Sequence, residues 1–177
     1  MGWEFSFLEA LRELYNPVLD ALMIGISFLG NSGWIWIAAG ILLLFFKDHR
    51  RTGFLVLVAL LIGLLLANLT VKPLVARPRP FQVDTALSLL IPPPGEFSFP
   101  SGHSVSSAAA ATVLALSNKK FGWVAVPLAA LIAFSRLYLT VHVPTDVIAG
   151  LLLGCAIGLF TWFVLRPLAA RWRLKSD

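Results

Sequence analysis

The sequence predicts an all-α fold: a polytopic membrane helix bundle, six transmembrane helices preceded by a short amphipathic helix, in one domain over residues 1–177. Three observations carry this. First, 58% of the residues are hydrophobic and 13% charged, with a mean hydropathy of +0.85, against about 45–50% and about 25% in a soluble domain. Second, the apolar residues fall in separate blocks instead of one long run. Third, the basic residues gather in the short stretches between blocks, where membrane topology puts them. That placement, and not a nucleic-acid partner, accounts for the net charge of +5.

Residues 3–15 place Trp3, Phe7, Leu8, Leu11, Leu14 and Tyr15 on one face and the charges mainly on the other, as in a helix lying on a membrane surface. This opening carries Glu4, Glu9, Arg12 and Glu13 where a cleavable leader would have a basic start and an apolar run. Asn16 caps and Pro17 opens the next helix. The first span is predicted at 17–30 and the second at 33–46, joined by a tight turn, Gly30-Asn31-Ser32-Gly33. Both are short against the ~20 residues that cross a typical bilayer.

KDHRR (47–51), with a solvated His49, precedes a third span at 53–71. A proline-rich loop fills 72–99, the fourth span runs 100–117, NKK (118–120) intervenes, and the fifth covers 122–140. VHVPTD (141–146) leads into a sixth at 144–165, and RPLAARWRLKSD ends the sequence. Gly150, Gly154 and Gly158 recur every fourth residue in the sixth span, a close-packing stripe. Asn68, one turn before Lys72, reads as a hydrogen-bond partner for a neighbouring helix. Trp34, Trp36 and Trp123 near span ends read as interfacial belt residues, and Cys155 as a small buried hydrophobe.

Six crossings put both ends of the chain on one face. Lys47, Arg50, Arg51, Lys119, Lys120, Arg166, Arg171, Arg173 and Lys175 fall on that face, which the positive-inside rule makes cytoplasmic. The loop 72–99 and the turns at 31–32 and 141–145 then face the extracytoplasmic side. Lys72, Arg77 and Arg79 break the rule there, and a local exception needs a local cause.

Residues of reactive type converge at that outer depth. The third span ends at Lys72 and the loop continues to Arg79-Pro80. The fourth begins Pro100-Ser101-Gly102-His103, the fifth approaches with Ser135-Arg136, and His142 and Asp146 open the sixth. Singly, most have a structural explanation. Lys72 suits a snorkelling anchor, Asp146 and Ser101 suit a helix start, and the two histidines suit a polar interface. Arg136 lies inside an apolar span, where a charge costs at least a few kcal/mol and implies a partner or an aqueous cavity.

A phosphate supplies that partner. Guanidinium groups bind its oxygens bidentately, the amino end of the fourth span offers free N–H groups, and Gly102 admits the ligand close to that backbone. Such a cage stabilises the charge spread over a transferring phosphoryl group. Of two histidines, one can attack phosphorus while the other protonates the leaving oxygen, and a carboxylate can orient the nucleophile. His103, at the lip of the site, is placed to be the acid.

Together, Lys72 with Arg79-Pro80, Pro100-Ser101-Gly102-His103, and Ser135-Arg136 with His142 and Asp146 resemble the three signature motifs of the type 2 phosphatidic acid phosphatase (PAP2) superfamily, whose site architecture haloperoxidases share. The resemblance implies that Lys72, Arg79, Ser101, Gly102 and Arg136 hold phosphate, that His103 is the general acid, and that His142 is the nucleophile oriented by Asp146. It implies no metal and no cofactor; Asp84 and Glu96 are the only further carboxylates of the outer loop, too few for a metal cage. Arg77 lies outside the motifs, and a loop anchor and a lipid-headgroup contact both suit it.

The expected function is an integral membrane phosphatase of the cell membrane, its partners a lipid phosphate or diphosphate substrate and the surrounding membrane lipids. The substrate reading leans to undecaprenyl diphosphate, with phosphatidylglycerophosphate or a broad range of phosphatidic acids as the alternative. A non-catalytic phospholipid-binding or transport protein could use the same cage, but binding alone needs neither acid nor nucleophile. A vanadate-dependent oxidase is the third reading, and the membrane composition opposes it. No motif sets an oligomeric state.

Overall fold

The computed structural model describes residues 2–95 and 97–167. Among them the order is α1 (Trp3–Arg12), α2 (Pro17–Leu29), α3 (Trp34–Leu44), α4 (Arg50–Gly63), α5 (Lys72–Val75), α6 (Pro80–Val83), α7 (Gly102–Ser117), α8 (Lys119–Tyr138) and α9 (Pro144–Phe160), without a strand. π-helical segments Leu64–Val71 and Thr161–Leu165 continue α4 and α9. The starts follow local chemistry. Asn16 Oδ1 accepts from Leu19 N at 3.0 Å ahead of Pro17, and Asn118 Oδ1 accepts from Lys120 N at 2.9 Å.

α7 is the inner helix, with Val105, Ala108 to Ala111, Val113 and Leu114 buried among α4, α8 and α9. Lipid gives packed helices no hydrophobic advantage over lipid contact, so van der Waals fit must hold them, and small residues permit it. The glycine stripe of α9 does this against α7. A Cβ on Gly150 would lie 2.8 Å from Ser101 O, on Gly154 2.4 Å from Val105 O, and on Gly158 2.6 Å from Thr112 Cβ. Outward residues are apolar instead: Val124, Leu152 and Phe163 are 70%, 67% and 63% exposed.

Three stretches are long and apolar enough to cross a membrane, Arg50–Val83, Lys119–Tyr138 and Pro144–Leu165. α2 and α3 make a fourth if the pair, bent by 45°, is one span. The two spans expected at 17–30 and 33–46 are therefore halves of one bent rod. Ser32 (φ 51°) and Gly33 (φ 68°) turn the chain at the break, but a 45° bend does not reverse it as a hairpin would. α7 has 16 residues, about 24 Å at 1.5 Å per residue, and its enclosure by other helices removes the need for a full lipid-facing length.

This changes the amino-terminal expectation as well. Glu4 accepts from Thr145 Oγ1 at 2.6 Å, Arg12 donates to Ser88 at 3.1 Å, and Tyr15 donates to Tyr138 O at 2.6 Å. α1 thus covers the end of the bundle where α8 stops and α9 starts. Arg166 lies at the other end, where its carbonyl accepts from Arg51. Residues 4–15 and residue 166 sit at opposite ends, not on one face. α1 keeps its amphipathic character, with Leu8 and Leu11 buried and Trp3 63% exposed.

Two side chains also differ from expectation. Trp36 is buried and its indole N–H donates to Ser107 Oγ at 3.0 Å, because a hydroxyl on α7 satisfies the indole inside the core. Cys155 is exposed on the outward face of α9. Glu96, Arg171, Arg173 and Lys175 lie outside the described residues.

The α7–α9 contact gives a direct test. Gly154→Ala forces a methyl against backbone, and overpacking of this kind costs about 1–3 kcal/mol, so the melting temperature in detergent should drop by several degrees. Gly25→Ala, with nothing within 4 Å of the new Cβ, should leave it unchanged or slightly raised. Equal shifts for the two variants would refute close packing as the cause.

Candidate active site

Each element delivers its polar group through a local departure from regular helix. The π-helical segment Leu64–Val71, whose Thr70 hydroxyl donates to Leu65 O at 2.9 Å, brings Asn68 and Lys72 to one cavity; π-turns of this kind re-phase a helix face. Ala76, at φ 49°, then stops α5 and turns the chain toward Arg77 and Arg79. Between α8 and α9 the buried Thr140 holds φ 54°. A β-branched residue there is strained, and the tight turn it permits carries His142 inward, 2% exposed.

The cavity has a volume of about 1100 Å³. Its polar lining includes Asn68, Lys72, Arg79, His103, Arg136 and His142, and its apolar lining Ile24, Phe28, Ile37, Leu57, Leu61 and Leu64. Of the residues expected from the sequence, Lys72, Arg79, Gly102, His103, Arg136 and His142 meet here. Ser101 and Asp146, both fully buried, stand behind the wall. Ser101 Oγ accepts from Ser104 Oγ at 3.0 Å and from Ser104 N at 3.4 Å, which makes it the cap of α7. Asn68, expected to bond a neighbouring helix, lines the cavity beside Gly102, whose added Cβ would lie 3.0 Å from Asn68 Oδ1.

Three cations share this wall although Lys72, Arg79 and Arg136 are at most 5% exposed. Arg79 donates to Val141 O at 2.8 Å and lies 3.3 Å from His142 Nε2. Arg136 donates to Ser27 Oγ, while its buried Nε has no acceptor among the described residues. A guanidinium N–H left without an acceptor in a cavity is a place for an anion to bind.

Behind His142 lies a dense anchor. Asp146 Oδ2 is 3.4 Å from His142 Nδ1 and accepts from Val143 N at 3.1 Å. Ser98 Oγ donates to the same oxygen at 2.5 Å and lies 3.3 Å from His142 Nδ1. Nδ1 therefore faces two oxygens, an arrangement that keeps its proton there and leaves the Nε2 lone pair toward the cavity. Asp146 Oδ1 accepts from Arg77 at 3.0 Å, and Arg77 donates on to Thr145 at 2.7 Å and Glu4 at 2.8 Å. Arg77 is an anchor of the loop and of α1. Sequence reasoning missed Ser98, Glu4 and Asn31; only Ser98 had a signal, its place just ahead of Pro100-Ser101-Gly102-His103.

The PAP2 superfamily model matches residues 52–168, which hold all the residues just described except Glu4 and the α2–α3 groups. The chain belongs to the PAP2 superfamily. PAP2 relatives agree over most of its length. It is 36% identical over 155 residues to the undecaprenyl-diphosphatase of Sulfolobus acidocaldarius, covering 87% of this chain and 74% of that one. To the lipid A 4'-phosphatase of Porphyromonas gingivalis it is 30% identical over 181 residues, covering 93% and 77%. The crystal structure of a transmembrane PAP2-type phosphatidylglycerolphosphate phosphatase from Bacillus subtilis superposes with a TM-score of 0.73 at 29% identity, covering 88% of this chain and 81% of that one.

Burial pushes the His142 imidazole down to about 4, with Arg79 and Arg136 acting in the same direction and Asp146 opposing them. The ring is thus neutral at pH 7. In the window from 6.5 to 4 an unfolded chain would take the proton and the folded one would not, so this group subtracts stability as pH falls through that window. Ring-carbon NMR of labelled His142 should show no protonation at pH 6 and a transition near pH 4. Asp146→Asn, which removes the contribution that favours the charged ring, should move the transition lower. A transition at 6.5 in both proteins would refute the buried, anchored ring.

Proposed function

We propose that this PAP2 protein is an integral membrane phosphatase that hydrolyses a lipid phosphate or diphosphate through a phosphohistidine. The observation that carries it is the cluster itself: three buried cations, one with an unsatisfied N–H, around a buried neutral histidine whose Nε2 lies 3.3 Å from the Arg79 guanidinium. In the first step His142 Nε2 forms a bond to phosphorus as the P–O bond to the leaving group breaks, the lipid alcohol oxygen of a monophosphate or the bridging oxygen of a diphosphate, and His103 gives its proton to that oxygen. In the second, His103 takes a proton from water, which attacks phosphorus and breaks the N–P bond. Lys72, Arg79, Arg136 and the backbone N–H groups at Gly102 and His103 hold the equatorial oxygens. Ser101 supports them by capping α7, and Ser98 and Asp146 hold the ring of His142.

The apolar lining of the cavity supports a lipid tail, and the relative at 36% identity is an undecaprenyl-diphosphatase, so undecaprenyl diphosphate is the preferred substrate. Lipid A and phosphatidylglycerophosphate are the second reading, from the names of the other two proteins. Phosphate release by purified protein in chelator, across these three lipids, ranks them; release from none would favour a binding protein. Rapid-quench labelling should trap phosphate on the wild type and none on His142→Ala. Arg136→Lys, which keeps charge but loses the planar fork, should slow turnover on the order of 10²-fold. A label that survives His142→Ala would remove His142 as nucleophile.

The site faces the extracytoplasmic side in this proposal, since Lys47, Arg50, Arg51, Lys119, Lys120 and Arg166 lie toward the other end. With α2 and α3 as one crossing, residue 2 shares the site's side. In a Cys155→Ser background, Gly2→Cys and Gly95→Cys should therefore react with an impermeant thiol reagent in intact cells, and Lys120→Cys only after lysis. Protection of Gly2→Cys alone would restore six crossings.

A further inference from the structure

The break between α2 and α3 touches the chemistry. Asn31 Oδ1 lies 3.0 Å from His103 Nε2. The contact depends on the shape of the break. A Cβ on Gly30 would lie 2.6 Å from His103 Cδ2 and 2.6 Å from Ile132 Cγ2, so only a bare backbone fits between ring and α8. Ser32 and Gly33, at φ 51° and 68°, then carry the chain past Ser106 on α7, 3.5 Å from the position of a Gly33 Cβ. Two left-handed residues in succession are an uncommon backbone, retained only where the surroundings fix it. They hold Asn31 at the cavity beside His103, in the lining that also includes His142 and Arg79.

We infer that Asn31 is a positioning residue for the general acid, its side-chain carbonyl accepting from the Nε2–H of the His103 imidazolium and so aiming that N–H at the leaving oxygen. The acid is the imidazolium, which carries a proton on each nitrogen, and the acceptor that the Nε2–H meets fixes the rotation of the ring. Asn31 Oδ1 is such an acceptor. When a lipid phosphate occupies the cavity, the leaving oxygen takes the proton that Oδ1 held in place. The O–H bond forms as N–H breaks, leaving a neutral imidazole that takes a proton from the attacking water in the second step. The rod α2–α3 is bent, on this reading, so that an amide can reach the acid.

This inference rests on the proposed role of His103, and the test separates the two. Turnover of a lipid monophosphate and of nitrophenyl phosphate is measured for wild type, His103→Ala, Asn31→Leu, Asn31→Asp and the double variant His103→Ala/Asn31→Leu, each checked for folding by its melting temperature. An acid contributes roughly 10²–10⁴-fold and matters most for a poor leaving group. Asn31→Leu should therefore slow the lipid substrate ~10–100-fold, a part of that range, and slow nitrophenyl phosphate much less. Asn31→Asp, which keeps an oxygen acceptor, should recover much of the lipid rate. The double variant should be no slower than His103→Ala, since two residues acting through one proton are not additive. If His103→Ala slows both substrates alike, the role of His103 fails. If His103→Ala discriminates between them and Asn31→Leu does not, the role of Asn31 fails alone.

Discussion

Three positive side chains buried at one end of a membrane bundle are the constraint around which the rest of this structure is arranged. A single charge in an apolar span costs several kcal/mol when nothing offsets it. Lys72, Arg79 and Arg136 share one wall, so their mutual repulsion adds to the desolvation. A helix bundle tolerates this only where the groups are fixed by hydrogen bonds and where an anion completes them. Arg79 is fixed by Val141 O and Arg136 by Ser27. The Nε of Arg136 remains without an acceptor among the described residues. The same concentration of charge that would destabilise an idle protein is what a transferring phosphoryl group requires.

Fixing those groups demands rigid neighbours, and the packing supplies them. α7 carries His103 and meets α9, which carries Asp146, over a stripe of glycine against alanine and serine. Backbones this close leave few alternative positions for either helix. The anchor behind His142 extends the rigidity outward: Asp146 to Arg77, Arg77 to Glu4, Glu4 to Thr145. α1 is thereby tied to the catalytic turn, although nothing in α1 faces the cavity. The Asp146 carboxylate has donors on both oxygens, so it remains an acceptor beside Nδ1 while Nε2 faces Arg79.

Much of this was legible in the sequence, for a physical reason. Phosphate chemistry restricts residue types, and cations, histidines and a carboxylate are rare enough in apolar blocks that their convergence stands out. Asn16, Pro17 and the α9 glycines were equally readable, because caps and close contacts also restrict residue type. What stayed hidden depends on direction and not on type. Gly30-Asn31-Ser32-Gly33 reads as a reversing turn, and only the φ values of Ser32 and Gly33 with the 45° bend show that the chain goes on. Trp36 near a span end looks like a belt residue until Ser107 is seen to satisfy its N–H. Ser98 and Glu4 are ordinary polar residues whose partners lie 48 and 141 positions away.

The misread turn and the missed asparagine are one fact. Had 30–33 reversed the chain, α2 and α3 would have formed a hairpin, and Gly30 and Asn31 would have stood at its tip. By continuing with a bend, the chain brings a bare glycine backbone and an amide against the ring of His103, while the flanking residues Phe28 and Ile37 turn apolar surface to the same cavity. A straight helix could not do both, since its backbone would lie a side chain's length from the ring. The break thus places polar groups, Asn31 against His103, and apolar ones, Phe28 and Ile37, in the lining of one cavity, the combination that an amphiphile with a charged head and an apolar tail would need.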